Sequence, residues 1–218
     1  ELQGVVCGGG WAGPRGVRLG GALNGFAVTP RIVARLIGGA YDSRVLAVHA
    51  RSLEILSDLG ADESLRRRGN TSTRLAIHLS AKKHFVVPFD NIGAIDTEFP
   101  FILFISQAET EGVLGEHLAS VGQRIDRGVE VTSLVADQDG VLCTLEHLDG
   151  GKEELRATFV AGCDGAHSFV RKAAGIPFRG DADPETFVLG AVEIDGAVLP
   201  NDLNPFFGKF GTSPFSPP

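Results

Sequence analysis

The stretch from Phe159 to Pro177 places the tightest constraint on the fold, because an apolar run leads directly into a tight turn and then a short helix. The run predicts a buried strand that ends at Gly162, and Asp164 and Gly165 follow on the turn. A helical segment is predicted over 166–175. A carboxylate and a glycine at a strand-to-helix turn are typical of places where the backbone approaches a ligand, although an ordinary Asp-Gly turn is the alternative.

The full string CDGxxSxVR is more specific than the Asp-Gly pair alone. It resembles the second nucleotide-contact motif of single-component FAD-dependent aromatic hydroxylases, the para-hydroxybenzoate hydroxylase and phenol hydroxylase superfamily. The resemblance implies that Asp164, Gly165, Ser168 and Arg171 bind the cofactor, with Ser168 and Arg171 reaching phosphate or sugar oxygens.

Composition excludes several other classes of protein. The 218 residues carry a formal net charge of −7, which argues against nucleic-acid binding. No apolar run approaches the length needed to span a membrane, and we expect no secretory signal, because the first residues lack a basic start and a long apolar core. Three scattered cysteines (Cys7, Cys143, Cys163) fit a reducing cytoplasm and give no support to a metal site. We therefore expect a cytoplasmic protein without metal, nucleic-acid partner or membrane span.

A glycine motif follows the first predicted strand, which covers residues 2–7. Gly8, Gly10 and Gly13 satisfy the GxGxxG pattern of dinucleotide-binding folds, in which the glycines permit a tight turn and the close approach of a pyrophosphate. The motif is weak by itself, because this part of the chain is rich in glycine. It makes these three glycines candidate cofactor-binding residues.

Residues 14–40 depart from the expected continuation of that motif. Four glycines disfavour a helix there, and no acidic residue occurs between Glu1 and Asp42 to bind the ribose hydroxyls. We therefore expect this segment not to form the usual helix and second strand. A divergent loop is one explanation; a reading-frame slip in the gene is preferred, because Gly, Arg, Ala and Pro dominate out-of-frame translation of GC-rich DNA.

Two further segments resemble the hydroxylase family in the order that the family requires. SRVLAVHARSLEIL contains Arg44, which the resemblance places beside the flavin pyrophosphate. ISQAETEGVLGEHL contains Gln107, which the resemblance places against the flavin, although a simple first-turn polar residue is an equal alternative. Ser106 and Glu109 form a capping box for a helix that is predicted to run to Val121.

The remaining patterns predict mostly β-structure. Runs at 72–79 and 84–89 predict a hairpin or a pair of sheet strands. Three runs over 129–159 predict an antiparallel meander that leads into the Asp164 turn. One strand is predicted over 185–195, and no regular element is predicted from Pro200 onward.

These patterns together predict an α/β fold: a Rossmann-like FAD-binding domain with an antiparallel β insertion, plus a partial β-sheet substrate domain. The FAD-binding domain is predicted to be discontinuous, formed by residues 1–70 and 101–178. The partial substrate-binding domain is predicted to comprise residues 71–100 and 179–218.

The resemblance implies a monooxygenase that uses FAD, with NADPH or NADH as co-substrate, and hydroxylates a small aromatic substrate, phenolic or polyketide-like, with molecular oxygen through a flavin C4a-hydroperoxide. It assigns no catalytic residue. Family members are longer and carry a later GD motif, so an incomplete chain with little FAD retention is expected. The alternatives are an inactive fragment or nucleotide-binding module, and a related flavin-dependent reductase, epoxidase or halogenase.

Overall fold

A computed structural model describes residues 4–8, 14–38, 47–80, 83–88, 96–181, 202–208 and 211–215. The chain divides into two compact units, one formed by 1–41 with 110–184 and the other by 42–109 with 185–218. Both units are discontinuous in sequence.

The described helices are α1 (Pro14–Asn24), α2 (Ala50–Ser57), α3 (Asp62–Arg68), α4 (Gln107–Ser120) and α5 (Phe169–Ala173). The described strands are β1 (Gly4–Gly8), β2 (Arg31–Ala34), β3 (Asn70–Ser72), β4 (Arg74–Ser80), β5 (Lys83–Pro88), β6 (Ile102–Phe104), β7 (Ile125–Arg127), β8 (Val129–Asp137), β9 (Gly140–His147), β10 (Lys152–Ala157), β11 (Phe159–Cys163), β12 (Asn204–Gly208) and β13 (Gly211–Phe215). Of the helices within the described ranges, none is long and apolar enough to cross a membrane.

A parallel sheet forms the centre of the first unit. Its strand order is β11-β1-β2-β7, and every neighbouring pair is parallel. At the end of β1, Gly8 pairs with Cys163 of β11 on one side and with Ala34 of β2 on the other. The strand-helix-strand unit β1-α1-β2 confirms the Rossmann-like fold that the sequence predicts.

The two faces of this sheet have different coverings, because successive side chains of a strand point to opposite faces. Ile32 of β2 lies under α1 and is fully buried. The next residue, Val33, belongs to a core cluster shared with the β8-β9-β10 sheet. The other buried members of that cluster are Val129, Val131, Cys143, Leu145 and Ala157.

The predicted meander is confirmed, with one refinement. β8, β9 and β10 form an antiparallel sheet. The third apolar run does not stay in that sheet: it divides at Thr158, and the part after it, β11, joins the parallel sheet beside β1. One continuous run in the sequence therefore serves two sheets.

In the second unit, the predicted hairpin is confirmed as the antiparallel pair β4 and β5 within the sheet β13-β12-β4-β5. The expectation that no regular element follows Pro200 is wrong, because β12 and β13 form an antiparallel pair there. β12 lies parallel to β4, and the ring of Phe206 stacks on that of His78 with centroids 4.1 Å apart. The strand predicted over 185–195 lies outside the described residues.

The expectation that residues 14–40 form neither the usual helix nor a second strand is also wrong. They contain α1 and β2, and a reading-frame slip is not needed to explain them. Gly16, Gly20 and Gly21 are buried in α1. A Cβ atom on Gly20 would overlap the end of the Ile32 side chain, so the missing side chain lets the helix lie close to β2. Tertiary packing here overrides a poor helix propensity.

Arg31, the first residue of β2, joins three strands. Its Nε donates to Asp126 of β7 at 2.9 Å, and its two terminal nitrogens donate to both carboxylate oxygens of Glu153 in β10 at 2.5 and 2.9 Å. The guanidinium lowers the pKa of Glu153, and His147 adds a smaller effect in the same direction. This cluster lies at the amino end of the parallel strands, opposite the edge where β1, β2 and β11 end.

Replacing either of two neighbouring glycines of α1 tests its packing on β2. Gly21→Ala is expected to stabilise the protein by up to about 1 kcal/mol, because alanine favours a helix and a Cβ atom there would lie 3.6 Å from Cδ2 of His117. Gly20→Ala is expected to destabilise it by about 1 kcal/mol, because Ile32 must move in a filled core. Urea unfolding measures both. Equal stabilisation by the two variants would contradict the close approach.

Glu153→Gln tests the cluster around Arg31. The folded protein holds the pKa of Glu153 below its ordinary value of 4.5, so the ionised carboxylate stabilises the fold above that value and the effect is lost as pH falls through the lowered pKa. The variant is expected to be less stable than the parent by about 1 kcal/mol or less at pH 7, with the difference shrinking in acid. Urea midpoints across this pH range check it, and a difference that grows in acid contradicts it.

Candidate functional site

The strand order of the parallel sheet indicates a ligand site at the carboxyl ends of β1 and β11, in the first unit. From β1 the chain moves to β2 and β7 on one side, and it returns to β11 on the other side. The order of the strands therefore reverses next to β1. Ligands of open parallel sheets bind outside the carboxyl ends of the strands at such a reversal. Gly8 ends β1 there, and Asp164 directly follows β11.

The Asp164 carboxylate organises the turn that follows β11. Its Oδ2 accepts hydrogen bonds from the backbone N–H groups of Phe169 at 2.6 Å and Val170 at 3.2 Å. Its Oδ1 accepts a hydrogen bond from the Ser168 hydroxyl. Two of the N–H groups at the start of a helix, which lack partners within the helix, are thereby satisfied. Asp164 thus holds α5 against the end of β11.

Ser168 is the N-cap of α5. Its Oγ accepts a hydrogen bond from the Arg171 N–H at 2.9 Å while its hydroxyl hydrogen is donated to Asp164. The residue is buried. The local role of Ser168 is therefore to cap the helix, and direct contact with a cofactor stays a prediction.

Gly165 and Arg171 present the parts of the turn that a ligand would meet. Gly165 has φ +77°, a conformation that glycine adopts without strain, and a Cβ atom there would meet nothing within 4 Å. Arg171 donates from Nη1 to the Ala166 carbonyl at 2.7 Å, and its guanidinium carbon lies 4.7 Å from the centre of the Phe178 ring. Its Nε is buried and has no hydrogen-bond partner in the described part of the chain.

The thiol of Cys163, the last residue of β11, is held neutral. Burial raises its pKa, and the neighbouring Asp164 carboxylate raises it further, while Arg15 acts in the opposite direction. Because the thiolate is the reactive form of cysteine, Cys163 is not suited to act as a nucleophile at this edge.

The other predicted cofactor-binding residues are not all placed. Gly10, Gly13 and Arg44 lie outside the described residues. Gln107 is the first residue of α4, and it is counted with the second unit rather than the first. The predicted cap of that helix is confirmed, because Ser106 Oγ accepts a hydrogen bond from the Glu109 N–H at 3.1 Å. The structure therefore brings together Gly8 with Asp164, Gly165, Ser168 and Arg171.

Sequence reasoning assigned no site residue at the end of β2. Ala34 ends this strand between Gly8 of β1 and Arg127 of β7, and Arg35 comes next. The segment was not recognised as a strand because its glycine-rich surroundings hid the pattern. The available signal is that no Asp or Glu occurs between Glu1 and Asp42. The structure shows that β2 ends within this stretch, at Ala34.

A groove of about 440 Å³ in the second unit has a different character. Its lining includes four carboxylates, from Glu54, Asp58, Asp96 and Glu98. The negative charge makes this groove unsuitable for the phosphates of a nucleotide. The edge formed by β1, β2 and β11 is therefore the better candidate for a nucleotide site.

Ser168→Ala tests the capping network. The variant removes the acceptor for the Arg171 N–H and the donor to Asp164. It is therefore expected to lower the free energy of unfolding by about 1 kcal/mol and to speed hydrogen exchange of the Arg171 amide. Ser120→Ala is the control, because it removes an exposed hydroxyl that donates to the His117 carbonyl at a helix end, and it is expected to change stability by less than about 0.5 kcal/mol. Urea unfolding and hydrogen exchange measure both; equal effects would contradict the special role of Ser168.

Known proteins resemble this chain across most of its length. 6-Methylpretetramide 4-monooxygenase of Streptomyces rimosus is 36% identical over 194 residues, which cover 88% of this chain and 34% of that protein. Rifampicin monooxygenase of Streptomyces venezuelae is 32% identical over 190 residues, which cover 87% and 37%. The crystal structure of p-nitrophenol 4-monooxygenase from Pseudomonas putida DLL-E4 matches with a TM-score of 0.74 at 27% identity, covering 83% of this chain and 45% of that one.

The chain thus spans about a third of the length of these curated relatives. The sequence model of a family described as "FAD binding domain" matches residues 2–202. This match contains the whole edge described above, from Gly8 to Arg171. The chain therefore belongs to the FAD-binding domain family of the flavin-dependent aromatic hydroxylases, as the CDGxxSxVR string predicted.

Proposed function

We propose that this chain supplies the nucleotide-binding part of an FAD-dependent monooxygenase that uses NADPH or NADH and molecular oxygen to hydroxylate an aromatic substrate, phenolic or polyketide-like. The monooxygenase relatives motivate the reaction and the substrate class. A cytoplasmic location and the absence of a nucleic-acid partner belong to the same proposal, and they rest on the composition.

The observation that carries the proposal is the placement of Gly8, the first glycine of the glycine motif, beside the CDGxxSxVR segment at one sheet edge. Gly8 of the glycine motif pairs directly with Cys163, the residue before Asp164. The two motifs lie far apart in sequence, and only the parallel pairing of β1 with β11 unites them. Their meeting point is the strand-order reversal at which open parallel sheets bind nucleotides.

The described residues suit the phosphates of FAD better than its adenosine ribose. Gly165 leaves backbone open to a ligand, and Arg171 adds a guanidinium whose buried Nε has no partner in the described part of the chain, a positive charge that suits phosphate oxygens. The end of β2 does not fit the adenosine ribose of FAD, because Ala34 and Arg35 stand where a carboxylate normally accepts hydrogen bonds from the ribose hydroxyls. We therefore assign these residues to binding and derive no chemical step from them.

In the proposed enzyme, bound flavin supplies the oxygen chemistry, and the protein binds, orients and excludes water. Asp164 and Ser168 position the turn after β11, and Gly165 lets its backbone approach the nucleotide. Gly10, Gly13, Arg44 and Gln107 remain proposed cofactor contacts by resemblance. No catalytic residue is assigned, since the flavin carries the reaction.

The second candidate function is a nucleotide-binding module without catalysis. Ala34 at the end of β2 favours it, because an alanine side chain cannot make the ribose contact that a carboxylate makes in dinucleotide folds. A related flavin-dependent reductase, epoxidase or halogenase would share the same edge. NAD(P)H oxidation and product analysis with bound flavin separate the enzymes from the module.

FAD titration of the purified chain tests the proposed site. We expect weak FAD binding and no stoichiometric flavin spectrum after purification, because the described end of β2 offers no carboxylate to the ribose. Gly165→Ala is expected to weaken nucleotide binding about tenfold, equivalent to ~1.4 kcal/mol, because it adds a side chain where the backbone faces the ligand. Flavin fluorescence and absorbance provide the measurement.

Gly150→Ala is the matched control. Gly150 also has a positive φ of +85° with open space around it, but it lies in the turn between β9 and β10. Both alanines are expected to cost about 1–2 kcal/mol of stability through their backbone conformation, and only Gly165→Ala is expected to affect binding. Equal binding by the two variants would remove the Asp164 turn from the site.

A further inference from the structure

We propose that the outward face of the β13-β12-β4-β5 sheet is a self-association surface, through which two copies of this chain pack against each other. The sheet belongs to the second unit, so the inference is independent of the nucleotide site in the first unit. We call this surface the outer face and define it by six apolar residues: Leu75, Ile77, Phe85, Val87, Leu203 and Phe207.

The register of the strands places these residues on one side of the sheet. In the antiparallel pair of β4 with β5, Leu75 is opposite Val87 and Ile77 is opposite Phe85. On the other side of β4, Leu75 is bridged to Leu203 in the parallel sense. Paired residues of neighbouring strands point to the same face, and so do alternate residues of one strand. The residues two and four positions after Leu203 therefore join the same face.

This part of the sheet buries polar side chains and exposes apolar ones. On the inward face, Asn204 is 1% exposed, and its Oδ1 lies 3.0 Å from Nε2 of His78. On the outer face, Phe85 and Phe207 are 49% and 47% exposed. Sheets with one solvated face ordinarily bury their apolar side chains and expose their polar ones. A continuous exposed apolar face is typical of an interaction surface.

The outer face suits a flat apolar partner better than a small molecule. None of its six residues has a charged or hydrogen-bonding side chain, whereas small-molecule sites are concave and contain a few polar groups that orient the ligand. The two grooves described in the second unit, of about 440 and 270 Å³, are lined by residues between 49 and 58 and between 96 and 102. The outer face contributes to neither of them, so its partner must supply an apolar surface of its own.

A second copy of this chain meets that requirement in shape and in charge. Two sheet faces pack about 10 Å apart with their strands within about 30° of each other, and a two-fold axis lets the same residues cover one another in both copies. The formal net charge of −7 makes the copies repel each other. Because the outer face carries none of this charge, contact through it sets none of its residues against a like charge.

The size of the outer face sets the strength that we expect. Three strands about 4.8 Å apart, with side chains about 7 Å apart along each strand, give a face on the order of 15 by 20 Å. This is well below the ~800 Å² that each partner buries in a typical stable complex. We therefore expect a weak dimer that depends on concentration, with a Kd on the order of 100 μM.

Analytical ultracentrifugation of the full chain, from about 5 μM to about 1 mM, tests the inference. We expect monomers at the low end of this range and dimers at the high end, and added sodium chloride is expected to tighten the dimer by screening the repulsion between copies. Phe85→Glu puts a carboxylate of each copy into the apolar contact, so it is expected to raise Kd at least about tenfold. Phe207→Ser introduces no charge and is expected to raise Kd by a smaller factor. Circular dichroism verifies that both variants are folded.

Val135→Glu is the matched control, because it makes an apolar-to-acid change at a 57% exposed residue of β8, in the first unit. It is expected to keep Kd within about twofold of the parent value, since a remote exposed charge is screened. A chain that stays monomeric at every concentration overturns the inference, and binding of an apolar dye that Phe85→Glu abolishes then assigns the outer face to a different partner. A dimer that is unchanged in Phe85→Glu, or that salt weakens, also overturns it.

Discussion

The parallel hydrogen bonding of β1 to both β2 and β11 is the constraint on which the first unit depends. It aligns Gly8 with Ala34 on one side and with Cys163 on the other. Three segments that are distant in sequence therefore end at one edge. A one-residue shift in either pairing would reverse which side chains of β2 or β11 face α1 and which face the meander. The candidate site and the core are thus specified by the same register.

The Asp164 turn shows how a sequence motif combines structural and functional demands. Asp164 and Ser168 accept hydrogen bonds from backbone N–H groups at the start of α5, and the Ser168 hydroxyl donates to Asp164. The helix is only five residues long and has no buried residue of its own. A helix this short depends on such caps. What remains for a ligand is the open backbone at Gly165 and the positive charge of Arg171, whose buried Nε has no hydrogen-bond partner among the described residues. The motif residues therefore divide into those that build the turn and those that leave backbone or charge for a ligand.

Elements with a strong local pattern were predicted well, and those that depend on distant contacts were not. The Ser106 cap, the β4-β5 hairpin and the meander follow from short-range signals. α1 was missed because its glycines reduce helix propensity, while their value lies in packing against Ile32. The β12-β13 pair was not predicted, because the prolines and phenylalanines of this segment indicated irregular structure. In the structure the ring of Phe206 stacks on that of His78, which lies far from it in sequence.

The sequence by itself determined the family, through the CDGxxSxVR string, and the residue types available for binding. It also determined that no acid precedes Asp42 in the first part of the chain beyond Glu1. Only the tertiary structure decided which strand end lacks the acid. The pairing of Ala34 with Gly8 and Arg127 defines the end of β2, and that end lies within the stretch without acidic residues. The physical reason is that parallel strands are joined by long connections. Their shared edge is therefore a property of the pairing, and no local pattern in the chain contains it.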